Sequence, residues 1–315
     1  MLGLGVSLVL LALVLSRVDL IAVGQAIAGA NPLLVGLAVL ASVLDQVIRA
    51  GRWRLILRPM RWIPLGPAFA FQSIGYLGNA ALPARLGDLA RAHLAGEAFG
   101  IPRLSTLGSI VAERILDGTA MLALAGISSL LVVNAGSVRQ LVAYASALGF
   151  AALVVIGLGW LALTRLHLIR ASGAGFVRDL GRRIVLGLAA FRDPRGAASI
   201  VAITLLVELV GASLVFVATR AVGMNLSPLE SVLLISSLAL SLAIPAAPGG
   251  WGTYEFAGLT VLTALGYGAD ASLAAILLIR AATTIPAVIF GLVSLTALGI
   301  RPSSLLPMGA ERDAG

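Results

Sequence analysis

Apolar residues in this chain come in blocks and do not alternate with polar ones. Continuous apolar stretches cover 2–16, 33–48, 106–133, 141–164, 199–219 and 271–299. Several approach or exceed the roughly 20 residues a helix needs to cross a bilayer. Two further apolar stretches, 66–98 and 229–267, are interrupted by Pro and Gly, which break a helix by removing an N–H or loosening the backbone. Polar positions are concentrated in the links between blocks, and Arg dominates them. The pattern predicts an all-α polytopic integral membrane protein. Its first block, 2–16, reads as a short, uncleaved first helix, because no basic residue precedes it as a secretory signal requires.

The basic residues orient these blocks. Arg49–Arg61 holds five Arg and Arg165–Arg195 holds seven, so both segments are expected in the cytoplasm. The short link 134–140 is then external, and 106–133 runs outward. Segment 66–98 begins and ends on the cytoplasmic side, so it is expected to dip into the bilayer and return. In the second half, 199–219 runs outward and 271–299 inward, which leaves 229–267 to dip from the outer face. Only Arg17, Arg139 and Arg220 then fall outside, and Arg114 and Arg280 fall within spans. Both termini are expected in the cytoplasm, with the protein multi-pass in the cell (cytoplasmic) membrane. Between 165 and 195, Phe176, Val177, Leu180, Ile184, Leu188 and Phe191 recur at helical spacing, with Arg178, Arg182 and Arg183 among them. That spacing fits an interfacial helix on an anionic leaflet as well as a helix packed on other cytoplasmic loops.

The two interrupted segments resemble each other. Pro83-Ala84-Arg85-Leu86-Gly87-Asp88 and Pro248-Gly249-Gly250-Trp251-Gly252 both read Pro-x-x-x-Gly, and a carboxylate follows closely, Asp88 in one and Glu255 in the other. The register extends outward: Asp45 and Glu208 precede the two prolines by similar spacings, and Arg114 and Arg280 follow them. Residues 33–134 and 198–299 therefore read as two copies of one unit, placed in opposite orientations by the topology above. Inverted repeats with broken helices are a recurrent transporter plan, with the binding site where the repeats meet. The expected organisation is a single membrane domain over 1–315. It comprises a first helix and external loop (1–32), repeat 1 (33–134), a linking helix with a basic cytoplasmic segment (135–197), repeat 2 (198–299) and a cytoplasmic tail (300–315).

Composition narrows the chemistry. Of 315 residues, 59% are hydrophobic and 11% charged, with a net charge of +8, against about 25% charged in soluble domains. All basic residues are Arg, a side chain shaped to pair with phosphate. There is no Cys, and only His93 and His167 could ligate as imidazole, so no metal or other cofactor is expected. Nucleic acid is not expected as a partner; membrane lipids are. No G-x-x-x-x-G-K-[ST] run is present, so transport would be downhill or proton-coupled. Asp88, Glu113, Glu208 and Glu255 are the candidates for protonation.

Arg280 and Glu208 fall deep within their spans, where a lone charge is costly. They are read either as a mutually neutralising pair or, for Arg280 together with Arg114, as ligands of a lipid phosphate. Glu113 and Asp117, four apart on one helix face, would repel unless an Arg such as Arg85 intervenes. Asp45 and Arg49 read as an i, i+4 ion pair. Backbone freed at Pro83, Gly87, Pro245, Pro248, Gly249, Gly250 and Gly252 marks the re-entrant hinges and must find partners in protein or in a wet cavity. Trp251 and Tyr254 read as interfacial aromatics.

Gly78-Asn79-Ala80-Ala81-Leu82-Pro83-Ala84-Arg85-Leu86-Gly87-Asp88, Glu113-Arg114-Ile115-Leu116-Asp117 and Pro248-Gly249-Gly250-Trp251-Gly252-Thr253-Tyr254-Glu255 resemble, in that order, the signature segments of the lysylphosphatidylglycerol synthase transmembrane-region family. The resemblance covers roughly 1–300 and implies a lipid translocase fold. By it, Arg85, Asp88, Glu113, Arg114, Asp117 and Glu255 are cavity residues, while Trp251 stands where smaller apolar residues are the family's pattern. The bifunctional members carry a synthase domain after the membrane part. This chain stops at Gly315, so the resemblance is to the stand-alone members. Relatives that work beside glycosyltransferases make polyprenyl-phosphate lipids alternative cargo. The leading expectation is a non-enzymatic flippase for an anionic phospholipid or lipid-linked precursor. A homo-oligomer and a separate lipid-modifying enzyme are its further expected partners. The alternatives are a membrane-embedded transferase, or an accessory to a glycosyltransferase, acting on polyprenyl-phosphate substrates, and a secondary transporter of a small anion.

Overall fold

The computed structural model describes residues 2–82, 85–132, 189–243 and 247–300, and these are helical throughout apart from turns and links. The helices are α1 (Leu2–Leu15), α2 (Leu20–Ala28), α3 (Pro32–Leu57), α4 (Leu65–Ala81), α5 (Leu86–Phe99), α6 (Arg103–Val132), α7 (Pro194–Ala221), α8 (Pro228–Ser241), α9 (Thr253–Ala264) and α10 (Ala269–Ala297). Four of them, α3, α6, α7 and α10, are long and apolar enough to cross a membrane, and α1 with α2 would make a fifth if the bent pair counts as one span. The chain is thus an α-helical membrane protein. The expected span at 141–164, the linking helix and the tail from 301 lie outside the described residues.

Two expectations change. First, the stretch after the first block, expected as an external loop, holds α2: the short α1, whose 14 residues reach about 21 Å of a roughly 30 Å core, turns by 81° into it. Second, the stretch Arg49–Arg61, expected as a loop, continues as helix to Leu57. Its arginines stay helical because several find internal partners, described below.

Local signals explain the shorter elements. α8 opens with a capping box: the Glu230 N–H donates to Ser227 Oγ (3.2 Å) and the Ser227 N–H donates to Glu230 Oε2 (2.6 Å), with Pro228 in the first turn. α5 ends on Gly100 at φ 64°, where the Ile101 N–H reaches back to the Gly96 carbonyl. Neither α4 and α5 nor α8 and α9 contains a helix of spanning length. Each pair is two short helices meeting at a break.

The contacts divide the chain into two compact units. Unit 1 takes the described parts of 1–45, 120–150 and 206–286; unit 2 takes those of 46–119, 151–205 and 287–315. Unit 1 has one apolar core, built from residues such as Leu214, Val215, Leu234, Leu262, Ala274 and Ile279. Unit 2 has a core around Trp53, Leu57, Ile63, Ile74 and Leu295, and a smaller one around Ile56, Ala190 and Ile200. In chain terms, α3, α6, α7 and α10 each give one end to each unit, whereas α4–α5 belongs to unit 2 and α8–α9 to unit 1.

Candidate functional site

In unit 2 the site is built on a glycine contact. Gly75 and Gly78 of α4 face Gly87 and Arg91 of α5 so closely that a Cβ on Gly78 would lie 2.7 Å from Gly87 Cα, and one on Gly87 would overlap the Gly75 carbonyl oxygen. Arg85, just before α5, has φ 54° and is the one non-glycine residue with positive φ among those described. The close approach carries Asp88, in the first turn of α5, onto α4 and α6. Asn79 Nδ2 donates to Asp88 Oδ1 (3.1 Å), and Arg114 of α6 forks onto it through Nη2–Oδ1 (2.9 Å) and Nε–Oδ2 (3.2 Å). The Arg114 side chain keeps 34% of its surface exposed, against 13% for Asp88.

A second polar cluster in unit 2 is buried. Arg52 donates through Nη1 to Asp117 Oδ1 and to Thr204 Oγ1 (3.0 Å), and through Nη2 to Asp117 Oδ2 (3.1 Å). Glu113 lies 3.7 Å from Arg52 and 3.0 Å from Arg91. Arg49 Nη1 donates to Asp117 Oδ2 (3.1 Å). The Arg91 guanidinium rests 3.7 Å above the Trp53 ring, and the Trp53 indole N–H donates to Ser109 Oγ. Moving an ion out of water costs several kcal/mol even after relaxation, so each buried charge here needs its partner. Across both clusters, Arg49, Arg52, Arg91 and Arg114 stand against Asp88, Glu113 and Asp117. The balance is positive.

The repulsion expected between Glu113 and Asp117 is relieved by Arg52, Arg49 and Arg91, and not by Arg85, which is exposed beside the first break. Arg52 and Arg91 were not among the expected site residues. Arg52 sat in the presumed loop. Arg91, three residues after Asp88, carried a helical-spacing signal that could have found it.

Unit 1 holds the second break. Pro248–Gly250 makes one 3-10 turn, and Gly249, Gly250 and Gly252 all have positive φ (70°, 68° and 87°), a conformation open to glycine at little steric cost. Arg280 of α10 donates to the Gly249 carbonyl (Nη1, 2.8 Å) and the Gly250 carbonyl (Nη2, 3.4 Å), and its Nε lies 2.7 Å from Glu255 Oε1. Trp251 and Tyr254 flank the guanidinium at 4.4 and 4.3 Å, so both aromatics clamp Arg280. Glu255 also accepts the Gly252 N–H (2.7 Å), and Ser7 of α1 accepts the Ala247 N–H (2.8 Å). The structural pairing considered for Arg280 with Glu208 is replaced by Glu255; Glu208 itself is buried in unit 1. Pro83 and Pro245 lie outside the described residues.

The two breaks share one device. In each, an Arg from the following long helix takes the first-turn carboxylate beyond the break: Arg114 takes Asp88, and Arg280 takes Glu255. These residues fall within the three signature segments and the helices that answer them. The sequence matches the description Lysylphosphatidylglycerol synthase TM region over residues 1–291. The chain belongs to that family. It is also similar to a Haloferax volcanii protein named Glycosyltransferase AglD, at 27% identity over 98% of this chain. The match takes in 56% of that relative, so the chain spans little more than half its length. Trp251, expected as an interfacial aromatic, lays its ring over Arg280.

Proposed function

We propose that the chain is a lipid translocase of the cytoplasmic membrane that carries an anionic phospholipid or a lipid-linked phosphate between leaflets. The observation that carries this reading is the positive balance of unit 2. Four guanidiniums pair with three carboxylates, and the Arg114–Asp88 fork, its Arg one-third exposed, stands at the first break. A phosphate matches the guanidinium fork that Asp88 now occupies. Asp88 acts as a resident counter-ion, holding Arg114 ready and re-forming the pair when the lipid leaves.

The chain path supports two inverted repeats with re-entrant segments. α3 passes from unit 1 into unit 2, α4–α5 stays there, and α6 returns to unit 1. α7, α8–α9 and α10 follow the same route with the units exchanged. α4, α5, α8 and α9 are each too short to span, as expected of half-helices. By this reading Arg280, saturated by carbonyls, Glu255 and two rings, secures the second break, and Arg114 is the exchangeable cation.

The test is reconstitution in liposomes with head-group-labelled phosphatidylglycerol and a membrane-impermeant quencher. Wild type exposes inner-leaflet lipid. Arg114→Gln slows exposure about tenfold or more, because a charge-assisted contact of roughly 1.5–3 kcal/mol is lost. Asp88→Asn raises the apparent affinity for the lipid yet slows turnover, because the competitor that releases it is gone. Exposure by Arg114→Gln at the wild-type rate sinks the proposal.

The named glycosyltransferase relative favours a second reading, a membrane partner or transferase acting on polyprenyl-phosphate substrates. That activity would give product in detergent without a sealed bilayer, whereas translocation requires one.

A further inference from the structure

One basic group in unit 2 belongs to neither cluster. Arg54 and Arg58, in the last turns of α3 and just beyond it, stack on the same indole: their guanidinium carbons lie 4.4 and 6.0 Å from the Trp62 ring centroid. Arg61 adjoins them in sequence. Among the described residues no carboxylate pairs with Arg54, Arg58 or Arg61. The arginines described above, by contrast, carry a carboxylate or lie in a positive cluster that holds several. The Arg54 Nε is buried and makes no hydrogen bond. Arg54 lies in the last turn of α3 and Arg58 one residue past its end, so the two bring like charges onto one indole, and an anion between them would relieve their repulsion. Trp62 is 55% exposed.

We propose that Arg54, Arg58 and Trp62 form a binding site for the phosphate of an anionic phospholipid that is retained and not transported. The guanidinium edges point their donors at the phosphate while the indole lies along the glycerol region. Three features select a lipid headgroup as the occupant. The site closes the apolar span of α3. Its aromatic is the amphipathic ring that settles at the bilayer interface. An unpaired cluster of arginine at the end of a span is drawn to an anionic leaflet. This site is separate from Arg114 and Asp88, and the inference stands whether or not the chain translocates lipid.

The experiment uses the full chain in phosphatidylcholine nanodiscs containing a rising fraction of phosphatidylglycerol brominated near the glycerol backbone. The emission difference between wild type and Trp62→Phe isolates Trp62. The expected result is saturable quenching of Trp62 at a low phosphatidylglycerol fraction, absent with brominated phosphatidylcholine. Each basic side chain near an anionic surface contributes roughly fivefold in affinity. Arg54→Gln/Arg58→Gln therefore moves the midpoint up roughly thirtyfold, whereas the charge-matched Arg17→Gln/Arg220→Gln leaves it in place. Arg54→Lys/Arg58→Lys, which keeps charge and loses the planar fork, falls between. Equal quenching by the two brominated lipids, or an unmoved midpoint in Arg54→Gln/Arg58→Gln, overturns the site. Displacement of the lipid by inorganic phosphate or by polyglutamate overturns its assignment to a lipid headgroup.

Discussion

Arg52→Met is expected to destabilise the protein by about 3–5 kcal/mol, the range for removing one partner from a buried ion pair. Arg52 is 1% exposed and joins three helices: it comes from α3, forks onto Asp117 of α6, and reaches Thr204 of α7. Without it, Asp117 keeps Arg49 and Glu113 keeps Arg91, but the two carboxylates face each other one helical turn apart. Met preserves most of the stem packing, so the loss reads the charge and not a cavity. Arg52→Lys recovers only part, since one ammonium cannot reproduce the fork on Asp117 together with the Thr204 contact. Thermal unfolding in detergent micelles measures the series. Arg52→Met at wild-type stability would show that the cluster is not a fastening of unit 2.

The other large effect falls on a residue with no side chain. Gly87→Ala places a methyl group where the Gly75 carbonyl stands and within 2.5 Å of the Asn79 nitrogen. Backbone cannot yield as a flexible side chain can, so α5 must back away from α4. Overpacking of this kind costs roughly 1–3 kcal/mol. The functional loss should be larger than the stability loss, because Asp88 moves away from Asn79 and Arg114 together. Gly51→Ala is the paired control: its Cβ meets nothing within 4 Å, and in α3 the change should stabilise by roughly 0.5–1 kcal/mol. Circular dichroism melting and the liposome exposure rate, measured on both variants, check the pair. Equal activity of the two would contradict the placement of Asp88 by the glycine contact.

The sequence made the long helices easy to read and their ends hard. Apolar runs longer than a bilayer half announce α3, α6, α7 and α10, because lipid removes any other way to satisfy the backbone. The arginines of 49–61 obscured the end of α3. Counted as charge they mark a cytoplasmic loop, yet Arg49 and Arg52 turn inward onto Asp117. Pattern in one dimension does not reveal which charges face protein and which face water. The breaks were legible because Pro and Gly cluster there. Their shared fastening was legible as a register, with Arg114 and Arg280 spaced alike from their prolines. What each Arg grips was not: Arg280 meets Glu255 and two freed carbonyls, and that choice depends on how α9 and α10 pack. Arg91 was missed for the same reason, since its partners Trp53 and Glu113 come from α3 and α6.

The most direct measurement of the central claim is charge selectivity of lipid exposure. Purified protein in sealed liposomes would carry, in parallel samples, head-group-labelled phosphatidylglycerol, labelled phosphatidylcholine and a labelled polyprenyl phosphate, each challenged with the same impermeant quencher, with and without a proton gradient. The account predicts that at least one anionic lipid is exposed well above the protein-free rate while phosphatidylcholine is not, and that Arg114→Gln removes the difference. Exposure of all three lipids at one rate, or of none under either condition, would contradict it.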